Sequence, residues 1–550
     1  MRNAWRRTRF IRALGFRSHF TRVNGAKILN FRPAAFAAVF LCLGIFSAVA
    51  LLCYGLSFWW LTLALPLLIL LRKGKRKQTA IAVLFLLAAF WVGFCSAFCK
   101  IDGFQNATAY ERGEYHVTGT VVSESETVYG YKLVLGDIRI DGEEENVQLI
   151  AYLPLSFEGN IEQGNRVLIK GKLEPNKETE WYDISNDLAY TLQAKTCVVT
   201  ERPFSLFTFL RKRIETVLYA GMDETSAAVT MAILTGDEEG IEQGLLENMR
   251  RGGIAHVFAV SGLHIGALFG FALFLIGKTP LHSASKGTRF LTVAALLLFY
   301  GGVCGFSASI TRAITICLCF YAAKLIGVSK DFLDALGVAA ILVLTFSPLA
   351  LFEAGFQLSF AACLGIALLS RPIEKLCYKI VGDINGKLPP AERDMHPLGV
   401  RGRIKRACVS FVSVSLSAQI ATAPLCLAWF GYLSCLSLLL NSLFVPLVSV
   451  VFSALLVFVV IAAVLPVAWS GVILRIPAVV WSAALLLFQT VDFSLFCIED
   501  VVVPVVALVF YFLALSFLSD KWNFSKKLAF ACALVCFSLS FSCIFVMNML

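Results

Sequence analysis

Residues 56–98 read Leu56–Leu71 (LSFWWLTLALPLLILL), Arg72–Gln78 (RKGKRKQ) and Thr79–Phe98 (TAIAVLFLLAAFWVGFCSAF). Two apolar runs long enough to approach or cross a bilayer thus enclose the cationic hexapeptide Arg72-Lys73-Gly74-Lys75-Arg76-Lys77. Basic loops are retained in the cytoplasm, so this loop orients both runs at once. Working outward, Ala34–Cys53 is a first span leaving the cytoplasm, and Thr79–Phe98 a third that also leaves it. The chain from about Lys100 to Pro203 then lies outside. The arm before the first span carries Arg2, Arg6, Arg7, Arg9, Arg12, Arg17, Arg22, Lys27 and Arg32 and no acid, which anchors the amino terminus inside by the same rule. No small-residue cleavage site follows Ala34–Cys53, so no signal peptide is expected.

Composition agrees. The 550 residues are 58% hydrophobic and 15% charged, with a mean hydropathy of +0.76. A soluble domain has about 45–50% apolar and about 25% charged residues. A water-soluble globule cannot hide the excess, so most of the chain faces lipid or other helices. Most of the 17 cysteines lie in apolar runs, where they act as small hydrophobes, and no C-x-x-C pair occurs. Cys99 and Cys197 flank the external segment and are placed to form a disulfide.

That segment changes character. Tyr115–Val122, Tyr131–Ile140, Val147–Leu153 and Arg166–Leu173 alternate apolar and polar residues, the period of half-buried strands. A helix is expected over Trp181–Gln193 and a last strand over Thr196–Thr200. About five strands with one late helix predict a small closed barrel of OB type. Phe204–Ala220 has one apolar face and reads as a helix lying in the interface. Polar linker helices, Asp223–Leu234 and Ile241–Arg250, precede about ten further spans: Gly253–Gly277, Phe290–Cys304, Ser307–Ile326, Phe332–Phe346, Leu351–Ser370, Ala407–Ala428, Ser434–Ala462, Pro466–Val491, Val501–Ser519 and Leu528–Met549. The loops Lys278–Arg289, Gly327–Asp331, Arg371–Arg406 and Asp520–Lys527 then fall in the cytoplasm, and each contains Lys or Arg.

The expected fold is an α-helical polytopic membrane protein of about 13 transmembrane helices with an inserted extracytoplasmic OB-like barrel. Its parts are a basic cytoplasmic arm (1–33), three spans (34–99), the barrel (100–203), interfacial helices and linker (204–250) and a larger membrane domain (251–550). Its place is the cell membrane, its first partner the lipid bilayer.

Catalytic signatures are missing. Gly277-Lys278-Thr279 ends like a P-loop, but the glycine that motif needs is Ala272. Six histidines offer little to a two-metal site, and no G-x-S-x-G or H-E-x-x-H occurs. No enzyme activity, metal or cofactor is expected. Asp237, Glu238 and Glu239 read as a solvated turn and helix start rather than a cation site.

The most informative run is Leu234-Thr235-Gly236-Asp237-Glu238-Glu239-Gly240, Met249-Arg250-Arg251-Gly252-Gly253-Ile254-Ala255-His256 and Val260-Ser261-Gly262-Leu263-His264-Ile265-Gly266. Two histidines, a serine and several glycines at the entrance of an apolar span are costly in lipid unless they face a cavity or a partner. Gly262 and Gly266, four apart, allow close approach of a helix or a substrate. This run closely resembles the hallmark of the ComEC competence family. Gly305-Phe306-Ser307 with Thr311-Arg312-Ala313, Pro348 with Gly355-Phe356-Gln357-Leu358-Ser359-Phe360, and the series Gln419, Pro424, Asn441 and Pro446 are similar to later blocks of that family. The Trp181-Tyr182-Asp183 stretch and the barrel are similar to its amino-terminal domain, and the likeness spans about residues 35–460.

The resemblance implies an inner-membrane channel that admits single-stranded DNA during natural transformation, with a surface DNA receptor outside and an ATP-driven translocase inside, meeting loop Arg371–Arg406. Many relatives carry a carboxy-terminal metallo-β-lactamase-like domain; the chain as read to Leu550 has none, so a separate nuclease is expected. The candidate strand-path residues are Ser261, His264, Arg312, Gln357, Gln419 and Asn441, with Gly236, Gly262 and Gly266 as packing or motif glycines. Each has an alternative. Ser261 and His264 line a pore or satisfy helix packing, Arg312 meets phosphate or neutralises Glu353, and the amides bond within the bundle. The barrel segment holds eighteen Asp and Glu against nine Lys and Arg, which argues against a strong electrostatic grip on DNA. Tyr129, Tyr131, Tyr152 and Phe157 are placed to stack bases, and Lys132, Arg139, Arg166, Lys170 and Lys172 to gather on one side. Two other functions remain open: a secondary transporter of a small solute or lipid, and a non-catalytic membrane scaffold.

Overall fold

The computed structural model describes residues 32–54, 76–381 with short breaks (155–160, 177–182 and 255–259 among them), 400–441, and sparser stretches up to residue 536, of which 488–499 and 505–518 are the longest. Residues 1–31 of the basic arm, the span Leu56–Leu71, Ser261, His256, Tyr129, Phe157 and most of the last spans lie outside the described residues.

Helix α1 (Pro33–Tyr54) opens on a proline, whose fixed φ suits a first helical position, and crosses α2 (Arg76–Ala107) at glycines. A Cβ on Gly44 would stand 2.0 Å from the Phe90 carbonyl oxygen, and one on Gly93 2.2 Å from that of Leu41. Backbone therefore meets backbone, the close packing that small residues permit between membrane helices.

From α2 the chain enters the barrel: β1 (Gly113–Thr127), β2 (Gly130–Ile140), β3 (Glu143–Glu145), β4 (Gln148–Pro154), β5 (Arg166–Pro175) and β6 (Leu188–Glu201). The path β1–β2–β4–β6–β5–β1 closes on itself, with β3 appended to β2. Every pair is antiparallel except β4 with β6. Alternation puts Val167, Ile169 and Leu173 of β5 inside. The four alternating runs are strands as expected, but the helix expected over Trp181–Gln193 is corrected: β6 already begins at Leu188. Leu188, Ala189, Tyr190 and Leu192 are all buried, and a continuous apolar run does not by itself distinguish strand from helix. The expected disulfide is absent too. Cys99 on α2 and Cys197, opposite Ile169 in β6, are both free, and burial pushes the Cys197 thiol up to about 11.

The barrel stands on one end of the helices, sharing a core with Val49 of α1, Ile101 and Phe104 of α2 and Leu349. A salt bridge of 2.8 Å joins Lys100 to Asp187. Past it run α3 (Leu206–Gly221), α4 (Glu224–Thr235), α5 (Gln243–Arg251), α6 (Gly262–Lys278), α7 (Lys286–Val303), α8 (Ala308–Ile326), α9 (Phe332–Phe346), α10 (Ala354–Val381), α11 (Val400–Phe430), the short strands β7 (Tyr432–Ser434) and β8 (Cys497–Glu499), and α12 (Val505–Leu518).

Three expectations change here. Helix α4 is no polar linker: all of Ser226–Thr235 is buried. In the span expected from Gly253, α6 runs from Gly262, and Gly253 itself is left-handed at φ 75°. Loop Arg371–Arg406 is helical at both ends, because α10 continues through Pro372 to Val381 and α11 begins at Val400.

Among the described residues five helical stretches are long and apolar enough to cross a membrane: Pro33–Leu52, Leu84–Gln105, Ala308–Ile326, Ala354–Ile380 and Ile404–Phe430. Away from the barrel, Arg32 Nε donates to both Asp331 carboxylate oxygens at 2.9 and 2.8 Å. Asp331 caps α9, and Asp334 accepts from the Ala34 amide at 2.9 Å. The starts of α1 and α9 thus share one side, as the basic-loop reading requires.

Candidate functional site

The site begins with an energetic anomaly. Arg312, one turn into α8, is 6% exposed. Its Nη1 donates to the backbone oxygen and to Oγ of Ser359 on α10, and Nη2 to Ser309 Oγ at 3.5 Å. The two serine hydroxyls lie 2.8 Å apart. The guanidinium carbon stands 5.9 Å from the ring centre of Phe360, itself stacked on Phe356 at 4.1 Å. Among the described residues no carboxylate reaches Arg312, so the neutralising role considered for Glu353 is not seen, and Nε has no partner. An isolated buried charge costs several kcal/mol (order of magnitude) and persists where something else repays it. This cluster has a cation, hydroxyls and a spare N–H donor, which together favour an anion.

Glycine makes the room. A Cβ on Gly262, the first residue of α6, would sit 3.2 Å from Arg312 Nη2. Gly262 therefore has the close approach expected of it. Gly266 does not: a Cβ there would meet nothing within 4 Å among the described residues, because its side of α6 is exposed.

The other candidates scatter. His264 is completely buried, its ring edge-on to Phe452 at 4.5 Å, and it sits among the apolar residues of the largest core; packing describes it better than access to water. Gln357 is a staple: Nε2 donates to the Leu351 oxygen at 3.0 Å and Oε1 accepts from Trp429 Nε1 at 3.0 Å. Gln419 Nε2 and Asn441 Oδ1 are buried with no partner among the described residues, the mark of polar groups that face something further. Gly236 ends α4 in the left-handed conformation at φ 83°, where glycine carries no Cβ penalty. Nearby, Tyr300 OH donates to the Leu234 oxygen at 2.8 Å. Glu238 pairs with Arg250 at 3.2 Å, as a solvated turn would. Among the described residues no three His, Cys, Asp or Glu side chains cluster to hold a metal.

Sequence reasoning missed Ser309, Ser359 and Asn248. The serines stand inside the very blocks singled out for Arg312 and Gln357, so they were findable. Asn248 donates to the Phe488 and Val491 oxygens at 2.5 and 2.6 Å and accepts from the Phe493 amide at 3.0 Å. That clamp joins segments about 240 residues apart, and no local pattern announces it.

On the barrel three of the five cations expected to gather are paired with acids. Arg139 pairs with Glu144, Arg166 with Glu201 and Lys172 with Glu174. Tyr131 is half-buried, and Tyr152, 43% exposed, stands opposite Lys132.

A family model described as competence protein matches residues 233–524, more than half of the chain. The chain belongs to that family. The matched region starts in α4 and contains Gly262, Arg312, Ser309 and Ser359 with the elements that hold them. The chain is also 25% identical over 397 residues to ComE operon protein 3 of Bacillus subtilis (strain 168), a match covering 69% of this chain and 46% of that protein. It thus spans about half the length of that relative. No solved structure matches. The ComEC-type resemblance drawn from the blocks around Leu234–Gly266 and Arg312 is thereby established.

Proposed function

We propose that this chain acts in competence DNA uptake, as the membrane passage through which one DNA strand enters the cell, and that it does so without catalysing a reaction. The carrying observation is Arg312: a desolvated guanidinium that no carboxylate among the described residues reaches, at the barrel end of the helices, within a family described as competence proteins. A phosphodiester supplies the missing negative charge, and the Ser309 and Ser359 hydroxyls give it further donors. Passing phosphates exchange along such a group because each contact is modest and replaceable.

The barrel then guides the strand. Its five-strand closed path with one parallel pair agrees with an OB type, and Lys132 beside exposed Tyr152 offers one cation and one stacking face. Residues 100–203 lie outside the cell, and the Arg32–Asp331 end lies in the cytoplasm. A surface receptor, an ATP-driven translocase and a separate nuclease are the partners this reading calls for.

The test follows labelled duplex DNA on competent cells that express the chain. Deletion leaves DNA bound to the surface and sensitive to added nuclease, and re-expression restores a protected single strand. Normal protection in the deletant would overturn the reading.

A further inference from the structure

A second cation without a carboxylate lies where barrel and helices meet. A cavity of about 290 Å³ opens between the barrel, α3 and the turn after α7, and Gln163, Phe207, Thr208, Arg211, Gly302 and Gly305 are among its lining. Arg211 is fixed by one strong bond, Nε to the Val303 oxygen at 2.5 Å. Its Nη1 makes only a long contact to Gln163 Oε1 at 3.4 Å. Nη2 looks across Gly305, where a Cβ would stand 3.3 Å away. Among the described residues it has no ion pair.

The rim of this cavity is built for lipid. The Phe207 ring lies 5.9 Å from that of Phe299, and Leu298 and Phe299 on α7 are 48% and 45% exposed. Phe204, just before α3, and Leu206 and Phe209 on it are 78%, 48% and 55% exposed. An apolar helix face thus gives way to a polar pocket with a part-buried cation at the level where the water-facing barrel begins. That is headgroup depth.

We infer that the Arg211 cavity holds the phosphate of an anionic phospholipid, whose acyl chains lie along Leu298 and Phe299. Arg211 meets the phosphate through Nη1 and Nη2, and Thr208 faces the same space. The lipid seals the seam between barrel and membrane and fixes how α3 lies in the interface. This site is independent of strand passage, which engages Arg312.

The full-length protein in nanodiscs of phosphatidylcholine with phosphatidylglycerol, released and weighed by native mass spectrometry, tests it. One phosphatidylglycerol stays bound to the native chain. Arg211→Gln lowers its retention about tenfold or more, the size of one charge-assisted contact, and Arg211→Lys recovers part. Gln163→Glu keeps the arginine and its Val303 bond but supplies a carboxylate in the phosphate's place, so it gives the same loss even if Arg211→Gln folds poorly. Equal retention in native and Gln163→Glu protein overturns the inference. So does displacement by millimolar inorganic phosphate, which would make this a free-phosphate site, or by a single-stranded oligonucleotide, which would put it on the DNA path.

Discussion

The barrel and the bundle treat positive charge in opposite ways. On the barrel, Arg112 and Lys172 share Glu174, Arg139 faces Glu144, Arg166 faces Glu201 and Lys195 faces Glu114. These pairs are largely exposed, so solvent screens them and they add little to stability. In the bundle Arg312 is desolvated and, among the described residues, without an acid. The domain that looks suited to bind DNA sets most of its described cations against its own carboxylates. The domain built for oil buries one that no described acid reaches. Formal charge per domain therefore misleads; what attracts an anion is the cation whose field nothing nearby cancels.

The largest effect is expected at Arg312. Arg312→Met removes the charge and keeps an apolar side chain of similar reach. Uptake of nuclease-protected strand falls about tenfold to a hundredfold, as loss of a charge-assisted contact of about 1.5–3 kcal/mol implies. Thermal stability in detergent holds or rises, because a buried unpaired charge has been relieved. A variant that unfolds early but imports normally once folded would show that Arg312 serves only to tie α8 to α10.

Arg32 sharpens the contrast, being buried with a carboxylate in place. Arg32→Ala leaves Asp331 half-compensated and costs about 1–3 kcal/mol in unfolding measurements, a figure reduced from that of fully buried pairs because Asp331 is 36% exposed. Uptake per folded molecule is unchanged. A transport defect at full stability would mean that the α1–α9 end takes part in passage.

The sequence made some of this legible and hid the rest for physical reasons. Period-2 alternation read the strands of the barrel because one face of each is wet and the other buried. Several of the long apolar runs also stand as helices where expected, and Phe332–Phe346 matches to the residue. Helix α4 was misread because Asp223, Glu224, Thr225 and Ser226 look polar in one dimension, while only the fold shows that the helix is sunk in the core. At the site, Gly262 and Arg312 were visible as a glycine and a charge out of place. Their being neighbours, 50 residues apart, was not. The contact of His264 with Phe452, 188 positions away in the chain, was equally out of sight.

A smaller effect tests the neighbour relation itself. Gly262→Ala puts a methyl 3.2 Å from Arg312 Nη2, and the guanidinium must yield by a few tenths of an ångström. Overpacking of this order costs under about 1.5 kcal/mol, so uptake drops by less than about tenfold, and Gly262→Val drops it further. Gly266→Ala, on the open side of the same helix, changes nothing. Equal effects at both glycines would detach Gly262 from Arg312.

The smallest effect belongs to the barrel. Lys195→Gln removes a cation already cancelled by Glu114, so the melting temperature barely moves and oligonucleotide binding keeps its salt dependence. If Lys195 gripped phosphate instead, the logarithmic salt slope would fall by about 0.7. Glu114→Gln is the informative partner, because it releases Lys195 and should steepen that slope by the same amount. Acid does likewise: the Lys195 hydrogen bond, with its charge, holds the Glu114 carboxyl below its ordinary range. The pair's contribution is whole above the ordinary carboxylate pKa and is lost only as pH falls through the lowered one. Below that point Glu114 is neutral, Lys195 stands free, and binding to the strand tightens on acidification more in native protein than in Glu114→Gln, where Glu174 and the other paired acids are left to titrate. A barrel whose grip is switched on by removing its own acids is one whose cations were matched, and Arg312, with no acid to remove, should show no such gain.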